Sequence, residues 1–105
     1  MTAATERASR MDVTERYLAR TRGSAALFER ASRVLPGGST RTTIFTEPYP
    51  PYVVGGSGAT LTDVDGNAYV DFLGNYTSLI LGHAHPEVVA AVEAQVRRGS
   101  AFERS

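Results

Sequence analysis

Asp65-Gly66-Asn67 restricts the fold of this chain more than any other stretch of the sequence. It separates two segments of strand-like composition, residues 59–64 and 68–72. Such a turn joins antiparallel strands, because glycine adopts the positive φ angles of a tight hairpin and asparagine tolerates them. Residues 52–54 are a third strand candidate, closed by a turn at residues 55–58. The sequence therefore predicts a small antiparallel sheet.

Two helices are predicted before this sheet. Residues 13–22 form a short helix that Gly23 stops, and Ser24 is then a good N-cap for a second helix. The second helix has an apolar stripe at helical spacing, predicted to pack in the core, which consists of Leu27, Phe28, Ala31, Val34 and Leu35. Pro36-Gly37-Gly38 ends it, because proline cannot continue a helix and glycine accepts a left-handed cap.

A third helix is predicted near the end of the chain. Residues 39–52 are an extended connector and residues 73–85 a loop, after which Pro86 stands where a first helical turn favours proline. The helix has a face of four valines, predicted to be buried, at Val88, Val89, Val92 and Val96. Gly99 stops it. The predicted fold class of the chain as it stands is α+β.

Composition excludes several classes of function. The 105 residues suit one small domain or part of a larger one, and the hydrophobic share of 42% is ordinary for a globular protein. The formal net charge is +0, so no electrostatic attraction to nucleic acid or to an anionic membrane is expected. The chain has no apolar run long enough to span a bilayer, so we expect a soluble protein. The absence of cysteine excludes disulfides but leaves the redox compartment open, and the location we expect is cytoplasmic.

Residues 1–12 are predicted to be a disordered N-terminal tail. They are rich in Ala, Thr, Ser and Arg, as organelle transit peptides are, but Glu6 and Asp12 break the acid-poor pattern of such peptides. A frayed terminus is therefore the better interpretation. The ordered part of the chain is predicted to be residues 13–105.

Two motifs with metal-ligand character have simpler structural explanations. Residues 63–67 superficially match a calcium loop, but glycine stands fourth instead of sixth, and Gly74 stands where the twelfth-position glutamate is needed. A hairpin turn is favoured there. His83-Ala84-His85 has the spacing of a metal-ligand pair, yet these are the chain's 2 histidines, and carboxylates would have to complete the site. We favour a polar junction before the third helix and predict no metal site.

Four stretches form an ordered set along residues 24–102. They read SAALFERASRVLPGG from Ser24, GATLTDVDGNAYVDF from Gly58, GHAHPEV from Gly82 and RGSAF from Arg98. Each is weak by itself, but in this order they resemble the class III pyridoxal-phosphate-dependent aminotransferases. Within that family the glutamate-1-semialdehyde 2,1-aminomutase branch is the most similar.

The resemblance implies a fold type I transferase, α/β when complete and normally a homodimer. This chain would be its N-terminal part, with the N-terminal helices, a small antiparallel sheet and the first large-domain helix. Residues 13–72 would be the small-domain segment, and residues 73–105 the crossing into the large domain. The implied cofactor is pyridoxal 5′-phosphate, and the implied substrate is a small amino acid or amino-aldehyde.

The chain contains no lysine, because all 11 residues of the Lys+Arg count are arginines. Enzymes of this family hold the cofactor as a Schiff base on a lysine amine. Arginine cannot replace that amine, since its guanidinium stays protonated. The chain by itself is therefore predicted to be inactive, with no catalytic and no cofactor-binding residue of its own.

The resemblance implies two substrate-binding residues. In related enzymes an arginine just after the Pro-Gly-Gly turn binds the substrate carboxylate, and Arg41 occupies that neighbourhood. Its planar fork suits bidentate recognition of a carboxylate. Tyr76 falls where the aminomutase branch places an aromatic ring near the substrate. The alternatives are an ordinary exposed arginine and an ordinary packed tyrosine.

The sequence departs from the aminomutase branch in these same regions. Ser39-Thr40-Arg41-Thr42-Thr43 stands in place of a Ser-Pro-Val-Arg run, and residues 75–78, Asn-Tyr-Thr-Ser, replace a Trp-Gly-Pro run. A plain class III transaminase for α- or β-amino acids is therefore one alternative. A second alternative is a non-catalytic module that keeps the family's N-terminal fold and binds a partner.

Overall fold

The structure, a computed structural model, describes residues 12–41, 43 and 45–102. The predicted N-terminal tail lies outside these residues except for Asp12. In chain order the elements are helix α1 (Val13–Arg20), helix α2 (Arg22–Ser32), a 3₁₀ turn (Pro36–Gly38), strands β1 (Val53–Ser57), β2 (Thr60–Asp63) and β3 (Ala68–Val70), a left-handed turn (Gly74–Thr77) and helix α3 (Pro86–Val96). This content confirms the predicted α+β class.

The strands form one small antiparallel sheet with the order β1-β2-β3, as predicted. The chain divides into two compact units, and each contains parts of the sheet. The first unit comprises Met1–Val54 and Thr62–Asn67, and the second comprises Gly55–Leu61 and Ala68–Ser105. Within the described ranges, no helix has the length and apolar character needed to cross a membrane.

The Asp65-Gly66-Asn67 hairpin is confirmed. The amide of Asp63 donates to the carbonyl of Asn67 at 3.0 Å, and the amide of Gly66 donates to the carbonyl of Asp63 at 3.1 Å. Gly66 has a φ of 83°, a value that glycine adopts without the steric cost of a Cβ atom. The residue types of this turn therefore dictated its geometry.

The predicted turn at residues 55–58 is wrong in position, because β1 continues through Gly55 and Gly56 to Ser57. Gly56 is needed inside the strand: a Cβ atom there would lie 2.9 Å from Cγ of His83. Glycine in a strand often marks such a close approach. The chain reverses only at Gly58, whose φ is 56°.

The predicted boundary between the first two helices is also wrong. Gly23 does not stop α1 but lies in the first turn of α2, and Ser24 is not the N-cap. The carboxylate of Asp65 accepts hydrogen bonds from the amide of Gly23 at 2.6 Å and from that of Ser24 at 3.0 Å. A carboxylate from the hairpin thus caps α2, satisfying amides that have no partner inside the helix.

The core of the first unit is built around Tyr49, which is 6% exposed. Its ring centroid lies 5.5 Å from that of Tyr17 and 6.1 Å from that of Phe28. The hydroxyl groups of Tyr49 and Thr21 are 3.0 Å apart. The apolar stripe of α2 joins this core only in part, because the helix ends at Ser32 and Val34 is 77% exposed.

Helix α3 begins at Pro86, as predicted, but its valine face is not buried in this chain. Val88, Val89, Val92 and Val96 are between 40% and 60% exposed. Nearby Ile80 is 91% exposed and Leu81 is 61% exposed. The second unit therefore presents a contiguous apolar surface, which we call the valine face, and surfaces of this kind mark interaction sites.

Candidate substrate-binding residues

Arg41 follows the 3₁₀ turn and is exposed. Its backbone is fixed by Ser39, whose hydroxyl donates to the carbonyl of Arg41 at 3.0 Å and accepts from its amide at 3.2 Å. Within the described residues the guanidinium has no hydrogen-bond or ion-pair partner. An arginine whose backbone is held in this way, and whose planar guanidinium group is unpaired among the described residues, is suited to bind a carboxylate from solution.

The turn before Arg41 requires its glycines. Gly37 and Gly38 have φ angles of 68° and 67°, which side chains with a Cβ atom rarely adopt. A Cβ atom at Gly38 would also lie 2.7 Å from the ring of Phe28. The close packing of Gly38 against α2 therefore sets where the chain leaves the turn and, with it, the position of Arg41.

Tyr76 lies in the left-handed turn and is 52% exposed. The four residues of this turn have φ angles of 53° at Gly74, 51° at Asn75, 56° at Tyr76 and 67° at Thr77. Outside glycine this conformation costs roughly 1–2 kcal/mol per residue, because Cβ crowds the following carbonyl. Runs of such residues persist only where the surroundings hold them, and they concentrate at functional sites.

Hydrogen bonds hold the turn at both ends. The amide of Thr77 donates to the carbonyl of Leu73 at 3.0 Å, and the amide of Leu79 donates to the carbonyl of Gly74, also at 3.0 Å. At the start of the turn, Oδ1 of Asp71 accepts from the amides of Leu73 and Gly74, each at 2.9 Å. The carboxylate of Asp71 thus fixes the residues from which the turn begins.

Asp71 is in turn held by His83. Their Oδ2 and Nε2 atoms are 2.6 Å apart, and both side chains are largely buried, at 11% and 21% exposure. An ionised carboxylate only accepts hydrogen bonds, so Nε2 of His83 carries the donated proton. Hydrogen bonds from the Gly74 amide, from His83 and from the Leu73 amide lower the pKa of Asp71 below its usual range.

A groove of about 370 Å³ lies beside this pair in the second unit. Asp71, Gly74 and His83 line it, together with residues of the 58–59 and 79–82 segments. A second groove of about 580 Å³, lined mainly by the valine face and residues 78–82, is strongly apolar. Neither groove includes Arg41 or Tyr76 among its lining residues. Arg41 belongs to the first unit and Tyr76 to the second.

The carboxylates of the hairpin accept hydrogen bonds from nearby backbone amides. Asp63, which is 1% exposed, accepts from the amides of Asp65 and Asn67 at 3.0 and 2.8 Å. The Asp65 carboxylate caps α2, as described above. Across the described residues, no group of three or more His, Cys, Asp or Glu side chains could hold a metal ion.

Comparison with known proteins identifies the family. The sequence model of the class III aminotransferases matches residues 46–104, more than half of the chain. The chain belongs to the class III aminotransferase family, and its relatives place it near the glutamate-1-semialdehyde 2,1-aminomutases.

Among curated relatives, a glutamate-1-semialdehyde 2,1-aminomutase of Methanothermobacter thermautotrophicus is 49% identical over 75% of this chain and 19% of its own length. Among solved structures, an omega-transaminase from Sphaerobacter thermophilus is 54% identical with a TM-score of 0.74, over 78% of this chain and 19% of that chain. A transaminase with PLP bound is 55% identical with a TM-score of 0.76, over 79% of this chain and 20% of that chain. The chain thus spans about a fifth of the length of the relatives it matches.

The cofactor of the family is pyridoxal phosphate. The residues of this chain do not fit its covalent attachment, because a Schiff base needs a primary amine and the chain has no lysine. The exposed cation Arg41 could contact an anionic group, but its guanidinium cannot form that bond.

Two features of the site were not found from the sequence. One is the pairing of Asp71 with His83, since the two residues are 12 positions apart and no spacing rule connects them. The other is the left-handed turn, because Asn75 is the residue there that often adopts such angles, whereas Tyr76 and Thr77 seldom do. Only weaker signals were present in the sequence: a His-x-His pair without further ligands, and a glycine at the start of the turn.

Proposed function

We propose that this chain is the N-terminal, substrate-recognition segment of a pyridoxal-phosphate-dependent aminotransferase or aminomutase, most similar to glutamate-1-semialdehyde 2,1-aminomutase. The complete enzyme would move an amino group on a small amino acid or amino-aldehyde, as a cytoplasmic homodimer. By itself the 105-residue chain would be inactive. The single observation that carries this proposal is a family-specific segment with 11 basic residues and no lysine among them.

The valine face supports the proposal. An isolated small domain buries most of its large apolar side chains, whereas the four valines of α3 are each at least 40% exposed. The relatives are about five times longer than the segment they share with this chain. Their remaining residues are the natural cover for such a face. The division into a small-domain segment up to about residue 72 and a crossing into the large domain is part of this proposal and rests on the resemblance to the family.

In the proposed enzyme the chain's own residues bind and orient the substrate. The guanidinium of Arg41 would pair with the substrate carboxylate by two parallel N–H···O bonds, which fixes orientation as well as affinity. The half-exposed ring of Tyr76 would limit the space beside the substrate. Holding the reacting carbon in a fixed position is a large part of catalysis by such segments.

A plain transaminase for α- or β-amino acids is the second candidate. The specific observation in its favour is the higher identity of the two solved transaminases, 54% and 55%, compared with 49% for the curated aminomutase. The two activities differ in the fate of the amino group. An aminomutase returns it to the same carbon skeleton, whereas a transaminase passes it to a second keto acid.

Segment replacement tests the proposal. Residues 24–102 would replace the matching segment of the Methanothermobacter aminomutase and, separately, of the Sphaerobacter transaminase. We expect at least one of these hybrid enzymes, which we call grafts, to retain amino transfer. The host enzyme that retains more of its activity indicates which reaction the segment serves. The 105-residue chain with added pyridoxal phosphate is expected to show no transfer. Loss of activity in both grafts, with both hosts active and all proteins folded, would contradict the proposal.

Sequencing the coding DNA beyond the Ser105 codon, in all three frames, is an independent test. A continuation that resumes as a class III enzyme with a lysine supports the proposal. The rival, a partner-binding module, predicts instead a genuine stop at that codon and a 105-residue product that binds a full-length relative.

A further inference from the structure

A chain of contacts in the second unit leads from β1 to the start of the left-handed turn that contains Tyr76. The amide of His83 donates to the carbonyl of Gly58 at 2.8 Å, and the amide of Gly58 donates to the carbonyl of His83 at 2.9 Å. This antiparallel bridge fixes the backbone of His83. The ring of His83 also lies so close to Gly56 that no Cβ atom fits there.

The ring of His83 then fixes Asp71. The two oxygens of that carboxylate have separate tasks: Oδ2 is 2.6 Å from Nε2 of His83, and Oδ1 accepts from the amides of Leu73 and Gly74. The amide of Asp71 donates to the carbonyl of Ala59 at 2.8 Å, so its backbone is held as well. A carboxylate with both oxygens engaged cannot rotate without breaking a hydrogen bond.

We propose that Asp71 and His83 are positioning residues that hold Tyr76 in its left-handed conformation, and so control how the segment recognises its substrate. The inference rests on the proposed function, because that function places Tyr76 beside the substrate. Asp71 binds the amides that start the left-handed turn, and three residues of that turn have positive φ angles without being glycine. Without the carboxylate these amides lose this protein acceptor, and we expect the turn to relax to ordinary angles.

The conformation of the turn can be measured by NMR in the 105-residue chain, with Val89→Gln/Val92→Gln added throughout to limit association through the valine face. We expect the coupling constants and NOEs of Asn75, Tyr76 and Thr77 to report positive φ in the unmodified chain. They should lose this pattern in His83→Ala and keep it in His83→Gln, which retains an N–H donor. His85→Ala is the matched control and is expected to leave the turn unchanged. Ordinary φ angles in the unmodified chain, or an unchanged turn in His83→Ala, would overturn the inference.

Kinetics of an active graft separate positioning from mere stability. We expect His83→Ala and Tyr76→Ala each to raise KM roughly tenfold with a smaller change in kcat, and the double variant to add little, because both remove the same contact. His83→Gln should restore KM. Additive effects, or a loss of kcat at constant KM, would overturn the inference. An inactive unmodified graft would count against the proposed function alone, and the NMR result then decides the inference.

Discussion

Individual side chains of this protein connect distant parts of the sequence. Asp65 reaches from the hairpin to the amides of Gly23 and Ser24, across more than forty positions. The hydroxyl of Ser24 donates to the same carboxylate at 3.2 Å and accepts from the amide of Tyr52 at 3.0 Å. Ser24 is fully buried, so each of these bonds replaces one that water would otherwise make.

Replacing Asp65 by alanine should destabilise the first unit by about 1–2 kcal/mol, because α2 loses its capping carboxylate. Urea unfolding followed by circular dichroism would measure this. Asp12→Ala is the matched control, since Asp12 stands at the N-cap of α1 but its side chain makes no capping bond. The control should change stability by less than about 0.5 kcal/mol. Equal effects of the two substitutions would refute the capping role.

Arg41 is the residue on which substrate recognition is expected to depend. In an active graft, Arg41→Ala should raise KM for a carboxylate substrate by tenfold or more, because a charge-assisted bidentate bond contributes about 1.5–3 kcal/mol. Arg41→Lys should raise KM less, since lysine keeps the positive charge but lacks the planar guanidinium that makes two parallel hydrogen bonds. Arg33→Ala, at the C-cap of α2 and 71% exposed, serves as the control. An unchanged KM in Arg41→Ala would remove Arg41 from the site.

At the scale of secondary-structure elements, β1 shows how two adjacent glycines differ. A Cβ atom at Gly56 would contact His83 at 2.9 Å and Leu61 at 3.1 Å, whereas one at Gly55 would have nothing within 4 Å. We predict that Gly56→Ala destabilises the second unit by about 1–3 kcal/mol through overpacking. Gly55→Ala should be neutral or slightly stabilising, because alanine restricts the unfolded chain. Thermal melting of both variants measures the difference, and similar melting temperatures would contradict the close contact with His83.

The segment from β3 to α3 should be sensitive to acid. The folded pKa of Asp71 lies below its unfolded value, so its contribution to stability is present above about pH 4 and is lost as pH falls through the lower folded pKa. Unfolding free energies between pH 2 and pH 6, compared with those of Asp71→Asn, isolate this contribution from that of the other carboxylates. The difference between the two proteins should shrink on acidification. A difference in unfolding free energy that does not change with pH would contradict the lowered pKa of Asp71 in the folded protein.

For the whole molecule, we expect the exposed valine face to control self-association in solution. Val89 and Val92 are 40% and 54% exposed on α3. We predict that the isolated chain self-associates at micromolar concentration and that the double variant Val89→Gln/Val92→Gln is monomeric over a much wider range. Val13→Gln is the control, because Val13 is 68% exposed but lies on α1. Sedimentation velocity measures all three proteins, and a monomeric parent chain would show that this face does not drive association.

Much of the fold follows from local signals. Asp65-Gly66-Asn67 specifies a hairpin, Pro86 starts a helix, and Pro36-Gly37-Gly38 makes a turn after one, because glycine and proline restrict φ in ways that hold in any context. The helix boundary at Gly23 and the turn at residues 55–58 were wrong for the opposite reason. There, Asp65 and His83 from elsewhere in the chain overrode the local preference of glycine.

Residue types and their spacing along the chain are enough to establish the α+β class, the order of the helices and strands, membership of the class III aminotransferases, and the absence of a lysine amine for the cofactor. The capping of α2 by Asp65, the core around Tyr49, the Asp71–His83 pair and the left-handed turn with Tyr76 are visible only in the three-dimensional structure. Each of these depends on atoms that are distant in sequence or on backbone angles that neighbouring groups must hold, and no local rule encodes either.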